Sequence, residues 1–482
     1  MKRSLNNYWS LWLVAAMLPV LICAVVPILP THDDWTSLTA PYTGPFFTKR
    51  NFFFFGYHWR PFDCWIGYIA GRDPALLFPA FNHLLVALGH TLCAAAVFRM
   101  LRELNFRLTT CNVGTLFFYV NPATMATVLA VDSQNQAYSL LWGIVAFIAY
   151  LRHRYVLWAA LVLTAALCKE NGLMWALISP LLAFGFGRTD GTTLRRHTLL
   201  ALGIMAVYGG AIVLLPRDIT IHSDYIPEAL TVPKNVVKCV FTSFFTTDYI
   251  YLLHQPSRRP LLALLTWLPS LPLFWFVFVR QARHFATRRY LSIFCAMTIA
   301  AAPHLLTAYS MMHTYGVLVF VVLMVATAFD GGPGRVGGSR QTPTAADSQP
   351  LSASRRLALP LFVLTSLCID GHLWHESLRS GAVGKQMAVE AIRQTGTPVE
   401  RAKVVIVKDD FPKLSSFCVI PVDAFGWGLA ACYETDYNWP RQVSDTTVNS
   451  RQEAVSCARQ LLQTKQTDCV WIVDHKRINV IK

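Results

Sequence analysis

The chain has 482 residues, 54% of them hydrophobic and only 14% charged, with a mean hydropathy of +0.40. Soluble globular chains are roughly one-quarter charged, so this composition excludes an ordinary soluble enzyme and points to a polytopic membrane protein. The net charge of +15 then calls for no nucleic acid, because Lys and Arg gather in the cytoplasmic loops of such chains. The 12 Cys form no CxxC pair and no zinc spacing, and most fall in apolar runs, where a thiol is an ordinary core residue.

In chain order, Met1-Lys2-Arg3 precedes an apolar run that is longer than a signal-peptide core and ends in Pro27-Ile28-Leu29-Pro30 without a small-residue cleavage site. A retained signal-anchor helix is expected there. At roughly 20 residues per crossing, about eleven spans are predicted. Their approximate limits are 9–30, 76–98, 110–130, 136–151, 154–168, 172–187, 197–216, 260–279, 290–308, 312–329 and 357–375. The basic clusters Lys2/Arg3, Arg99/Arg102/Arg107, Arg152/Arg154, Arg188/Arg195/Arg196, Arg280/Arg283/Arg288/Arg289 and Arg335/Arg340/Arg355/Arg356 then all fall on one side, which is cytoplasmic by the positive-inside rule. Loops 31–75 and 217–259 lie on the other side, and Glu228–Leu253 is expected to hold an amphipathic segment at the membrane surface. Residues 330–356, rich in Gly, Ser, Thr and Pro, read as a linker.

Composition changes after residue 376. Val404–Val407 and Cys469–Val473 are β-like, whereas Ala382–Gln394 and Arg451–Gln463 are helix-like. Two units are expected: a multi-span domain over 1–375 and a small extracytoplasmic α/β domain over 376–482. Cys418, Cys432, Cys457 and Cys469 leave disulfides or buried free thiols equally open.

On the side opposite the basic clusters, four connections carry polar residues: His32-Asp33-Asp34 with Arg60, Asp132–Gln136, Lys169-Glu170-Asn171, and His304–His313 with Tyr309 and Tyr315. Ionisable groups at membrane depth are costly and tend to mark function. Bland readings compete with each: hydrated carboxylates, an interfacial salt bridge at Lys169-Glu170, an ordinary polar turn, capping histidines. His83 and His90, seven apart on one helix face, read as core packing or an interhelical hydrogen bond. Carboxylates beside cations suit one chemistry in particular. A carboxylate takes the proton of an attacking hydroxyl, and Arg or Lys stabilises a departing phosphate. No P-loop is present, and the one stretch matching GxGxxG, Gly332-Pro333-Gly334-Arg335-Val336-Gly337, lies in the Gly- and Pro-rich linker without a β-like run before it, so a soluble nucleotide-sugar domain is not indicated.

These residues resemble the polytopic GT-C glycosyltransferases that use polyprenyl-phosphate sugars, including the protein O-mannosyltransferase group. Asp33-Asp34-Trp35 is similar to that family's acidic motif in the first external loop. His58-Trp59-Arg60-Pro61-Phe62 resembles its Tyr-Arg-Pro-Leu-type segment, and His83 and His90 keep its His-x6-His spacing, with Val86 where relatives often have Asn. Ala166-Leu167-Cys168-Lys169-Glu170-Asn171-Gly172 is similar to its Ser-Lys-Glu-Asn segment. The resemblance covers roughly residues 9–190. It implies a GT-C-like α-helical membrane fold and a glycosyltransferase that moves a hexosyl or pentosyl group from a polyprenyl-phosphate donor. Asp33 would be the base, with Asp34 orienting the acceptor or holding a metal. Arg60 and Lys169 would meet donor phosphate, and Glu170 would fix Lys169 or touch the sugar. His313, beside Tyr315, would stand where relatives carry an Arg-Tyr-type element. A divalent metal stays open: His32-Asp33-Asp34 offers ligands, and no second cluster accompanies it.

The C-terminal segment shows no tetratricopeptide pattern. The acceptor implied is therefore lipopolysaccharide, O-antigen or another envelope glycan, ahead of protein, at a bacterial inner membrane with the site in the periplasm. A transporter or flippase of lipid-linked glycans, and a polymerase or ligase of them, are the alternatives. Against transport, the sequence has no clear internal repeat, and its polar islands lie at helix ends.

Overall fold

The computed structural model describes residues 8–29, 53–54, 58–70, 79–131, 133–214, 231–245, 267–303, 311–330, 353–407, 442–474 and 477–482. His32, Asp33, Asp34, Asp132, His304, Tyr309, Cys418 and Cys432 lie outside them, as does most of the linker 330–356.

A hydrocarbon environment offers no water to backbone N–H and C=O groups, so apolar runs there must close their hydrogen bonds internally as helices. The described helices are α1 (Trp9–Val25), α2 (Pro61–Ala70), α3 (Ala80–Glu103), α4 (Leu108–Tyr119), α5 (Gln134–Leu151), α6 (Tyr155–Cys168), α7 (Trp175–Gly185), α8 (Gly191–Leu214), α9 (Thr231–Phe245), α10 (Arg288–Ala301), α11 (Thr314–Phe329), α12 (Ala353–Thr395) and α13 (Arg451–Gln463). Among the described residues, four stretches are long and apolar enough to cross a membrane: Ala80–Glu103, Gly191–Leu214, Met311–Phe329 and Leu357–Arg379. Trp9–Val25 and Tyr155–Cys168 are shorter apolar helices. These stretches do not confirm the expected count of about eleven spans. Several runs are broken into shorter pieces.

The break in the third expected span has a clear cause. α4 stops at Tyr119, and Asn121 caps a 3-10 turn, Pro122–Thr124, by accepting from Ala123 N–H at 3.0 Å. Its amide also donates to the Ser243 carbonyl at 2.9 Å. That bond ties the break to α9, the helix expected on the membrane surface. α9 instead packs its apolar face into the bundle, with Cys239, Val240 and Phe244 buried and Phe244 against Phe117, Phe274 and Phe278. Its aromatic residues find better contact in that cluster than lipid headgroups offer.

α11 is the central pillar. Every residue of Thr314–Phe329 except Gly316 is buried, as expected for a helix apolar on all sides. It packs against α4, α9 and α10, while α3 packs on α1, α4 and α5, and α5 on α6. The periphery shows the opposite pattern. α8 exposes Leu199, Leu200, Val207, Val213 and Leu214, and α12 exposes Leu357, Leu361, Leu364 and Leu367, apolar surfaces suited to lipid.

The basic residues meet at one end of the bundle. Glu103, at the end of α3, accepts from Arg99 at 2.7 Å and from Arg152 Nε at 3.0 Å, and its carbonyl accepts from Arg188. Asp330, at the end of α11, takes Arg107 Nε at 3.0 Å. Arg289 lies over Phe186. Arg99, Arg107, Arg152, Arg188 and Arg289, members of four of the expected basic clusters, thus gather around Glu103, Asp330 and Phe186, while Lys2, Arg3, Arg335 and Arg340 lie outside the described residues.

α12 runs unbroken for 43 residues. It passes through the expected domain boundary near residue 376 and stops at Gly396, whose φ of +69° admits the left-handed turn that ends a helix. Beyond it lie β3 (Arg401–Val407), β4 (Gln442–Val448), β5 (Cys469–Asp474) and β6 (Arg477–Ile481); a two-residue hairpin, β1 (Phe53–Phe54) and β2 (His58–Trp59), precedes α2. The four-stranded sheet has the order β4-β3-β5-β6, parallel except for β6. α13 covers it with Ala454 and Ala458 on Val405, Val470 and Ile472. Trp471 donates to Thr395 Oγ1 at 3.0 Å, fixing the sheet to the end of α12. Cys457 and Cys469 are free thiols.

Candidate functional site

The site forms at the end of the bundle opposite the arginines. It starts from a failure of helix continuity. Lys169 is extended (φ −157°, ψ 141°), which ends α6, and Glu170–Met174 restarts as a 3-10 turn closed by Gly172 N–H to the Lys169 carbonyl at 2.8 Å. Broken backbone at membrane depth is tolerated where protein or a cavity satisfies it. Here Ser139 of α5 donates to Asn171 Oδ1 at 3.1 Å, and Tyr208 of α8 donates to the Ala166 carbonyl at 3.0 Å.

Arg60 reaches this turn from the first long loop. Its Nε and Nη2 each donate to one oxygen of Glu170, both at 2.7 Å, in a two-pronged ion pair. Lys169 is 7% exposed, and its charge and that of Arg60 both act on His313, at the start of α11. Of the residues singled out in the sequence, Arg60 and Glu170 thus meet, Lys169 adjoins Glu170 in the turn, and His313 lies within electrostatic range of Arg60 and Lys169. Tyr315 does not share their setting. It is fully buried as the second residue of α11, its hydroxyl 3.0 Å from His90 Nδ1. His90 Nε2 meets the Tyr119 carbonyl at 3.1 Å, and His83 Nε2 the Ile28 carbonyl at 3.0 Å. His90 therefore makes an interhelical hydrogen bond, one of the two roles expected of the pair, whereas His83 bonds the segment that follows α1.

Two participants had not been singled out. Asp63 is 3% exposed and accepts from Asn135 Nδ2 at 2.7 Å, joining α2 to the polar start of α5. The readable signal was Arg60-Pro61-Phe62-Asp63: Pro61 opens a helix and sets Asp63 in its first turn beside Arg60. Tyr208, within electrostatic reach of Glu170 and Arg60, comes from an otherwise apolar span and gave no such signal. Gln134, Asn135, Gln136 and Ser139 are all buried here, so Ser133–Gln136 is an internal polar wall. Ser133 Oγ bonds Met312 Sδ at 3.3 Å.

An apolar cavity of about 270 Å³ lies between α1, α3, α4 and α12. Met17, Leu21, Met125 and Leu129 line it, with His90, Tyr119 and Asp370 as its polar atoms' sources. Among the described residues, Asp370 Oδ1 is buried there without a hydrogen-bond partner. Among the described residues no group of three His, Cys, Asp or Glu could hold a metal.

No family model matches the chain, and no curated protein does. Among solved structures, the chain is similar to the crystal structure of ArnT from Cupriavidus metallidurans bound to undecaprenyl phosphate, at 12% identity and a TM-score of 0.44, over 97% of this chain and 97% of that one.

Proposed function

We propose that the chain is an integral membrane glycosyltransferase that moves a sugar from a polyprenyl-phosphate donor to a hydroxyl of an extracytoplasmic acceptor, lipopolysaccharide, O-antigen or another envelope glycan, at a bacterial inner membrane. The observation that carries this is the pairing of Arg60 with Glu170 beside Lys169, with His313 in electrostatic range, at the end of the bundle opposite the arginine cluster. Two cations held at a helix break suit a phosphate that gains charge as its sugar leaves.

In the proposed reaction the acceptor hydroxyl oxygen bonds to the anomeric carbon while the bond from that carbon to the phosphate oxygen breaks. The electron pair leaves with the phosphate, facing Arg60 and Lys169. The hydroxyl proton passes to the carboxylate of Asp33, with Asp34 orienting the acceptor. The apolar cavity between α1, α3, α4 and α12 is of a kind that takes a segment of lipid chain.

The test is transfer of labelled sugar from a polyprenyl-phosphate donor by the purified full-length protein. Asp33→Asn is expected to abolish transfer while the protein remains folded and inserted. Normal transfer by a well-expressed Asp33→Asn, Asp34→Asn variant would overturn the assignment of the base. The same assay with a chelator decides whether the divalent metal for which His32-Asp33-Asp34 offers ligands takes part.

A further inference from the structure

Glu170 occupies the part of Arg60 that a phosphate would use. The Nε and Nη2 donors of a guanidinium form a fork that matches two oxygens of a carboxylate or of a phosphate equally well. In this protein both prongs end on Glu170, at 2.7 Å each. The two side chains are not equally enclosed: Arg60 is 13% exposed and Glu170 39%. The arginine is therefore fixed within the protein, and the carboxylate approaches it from the open side. The backbone that carries Glu170 is held independently of that pair, by Gly172 N–H on the Lys169 carbonyl and by Ser139 on Asn171. The Glu170 side chain can swing away without unravelling the turn.

We infer that Glu170 is an exchangeable anion on Arg60. The donor's phosphate displaces it, the freed carboxylate accepts hydrogen bonds from hydroxyls of the sugar that the phosphate carries, and its return to Arg60 after transfer helps to expel the polyprenyl phosphate product. This rests on the donor proposed above. The exchange is physically balanced because one anion replaces another on the same cation, so neither state leaves Arg60 buried without a partner. A static orienting role for Glu170 makes the opposite prediction. If phosphate used another edge of Arg60, losing the Glu170 charge would loosen the guanidinium and weaken phosphate binding.

The experiment measures binding of farnesyl phosphate to the full-length protein in detergent by calorimetry, and steady-state transfer from a polyprenyl-phosphate sugar. Glu170→Gln is expected to bind farnesyl phosphate on the order of tenfold tighter than the parent, since a charged competitor is removed. It should lower KM and kcat together, because the product is held longer. Glu170→Asp, which keeps the charge but shortens its reach, should move binding in the same direction by less. Arg60→Ala should lose binding. If the parent binds, Arg60→Ala does not, and Glu170→Gln binds equally or more weakly, the exchange is overturned while the donor stands. If the parent fails to bind farnesyl phosphate, the donor and the exchange both fall. Should Glu170→Gln lose its fold, the direction of the Glu170→Asp shift decides: tighter supports exchange, unchanged or weaker overturns it.

Discussion

Arg60 and Glu170 lie 110 positions apart in the chain and are joined by two hydrogen bonds of 2.7 Å. The pair fastens the end of the first long loop to the break between α6 and α7. Because Glu170 is partly open to solvent, its worth sits well below that of a buried pair. A double-mutant cycle on thermal unfolding, Arg60→Ala with Glu170→Ala, is expected to give a coupling of about 1–2 kcal/mol. Additive effects of the two substitutions would show that the pair does not act as a unit.

Gly172 is where the break is most sensitive to substitution. A Cβ at this position would overlap the Ala165 carbonyl and press on Ser139 Oγ. Neither neighbour can yield without moving α6 or α5. Gly172→Ala is expected to cost about 1–3 kcal/mol and to lower transfer further than stability alone accounts for, because the turn that presents Lys169 and Glu170 shifts. Unchanged turnover in a folded Gly172→Ala protein would count against the turn as part of the site.

Asp63 holds Asn135 from across the first loop, with both groups buried. Asp63→Leu removes an acceptor and should destabilise by about 1–3 kcal/mol. Asp63→Asn, which keeps an acceptor oxygen, should cost less. Equal losses for the two variants would mean that the charge of Asp63, and not its bond to Asn135, is what matters.

Asp370 behaves in the opposite sense. It sits in an apolar span, and its Oδ1 is buried in an apolar cavity without a hydrogen-bond partner among the described residues. Replacing it with Leu removes a desolvated carboxylate oxygen and is expected to stabilise by about 1–3 kcal/mol. Thermal unfolding of Asp370→Leu in detergent checks this, and a lowered midpoint would mean that the carboxylate is put to use.

The C-terminal sheet carries an acid-sensitive tie. The Arg401 backbone N–H, at 2.8 Å, and then the Arg401 guanidinium hold the Asp468 carboxyl below its usual range. A group whose folded value is depressed adds stability above its unfolded value, near 4, and loses it as pH falls through the folded value. The fluorescence of buried Trp471 should therefore report loosening of the sheet on acidification below about pH 4, and Asp468→Asn should remove part of that dependence.

Much of this architecture was legible in the sequence because membrane helices declare themselves by length and apolarity. The basic clusters sorted to one side, and members of two of them, Arg99 with Arg107 and Arg152, pair with Glu103 and Asp330. Arg451–Gln463 is a helix with the limits expected, since Ser450 and Glu453 cap its start. Lys169, Glu170, Arg60 and His313 were recognisable as costly residues at helix ends. Their partners were not, because a contact across 110 residues leaves no local pattern. Asp63 was hidden among aromatics of a loop. Asp370 had a plain signal, an acid in the last apolar span, that was passed over. The length of α12 was also missed, since the change of composition near residue 376 marks no change of backbone: neither Gly381 nor Gly384 breaks the helix, which stops only at Gly396.

α12 starts beside the linker that follows the arginine-bearing end, passes Ala24, whose carbonyl accepts from Trp374 at 2.7 Å, and Leu29, which abuts Gly381, and then delivers the sheet. The helix has no internal break, so the expectation that the sheet and the polar end of the bundle share one compartment can be tested from the sheet alone. A single protease-protection or tag-labelling measurement on the sheet of the intact cell would thus assign the sidedness of the site as well, without any probe reaching into the bundle.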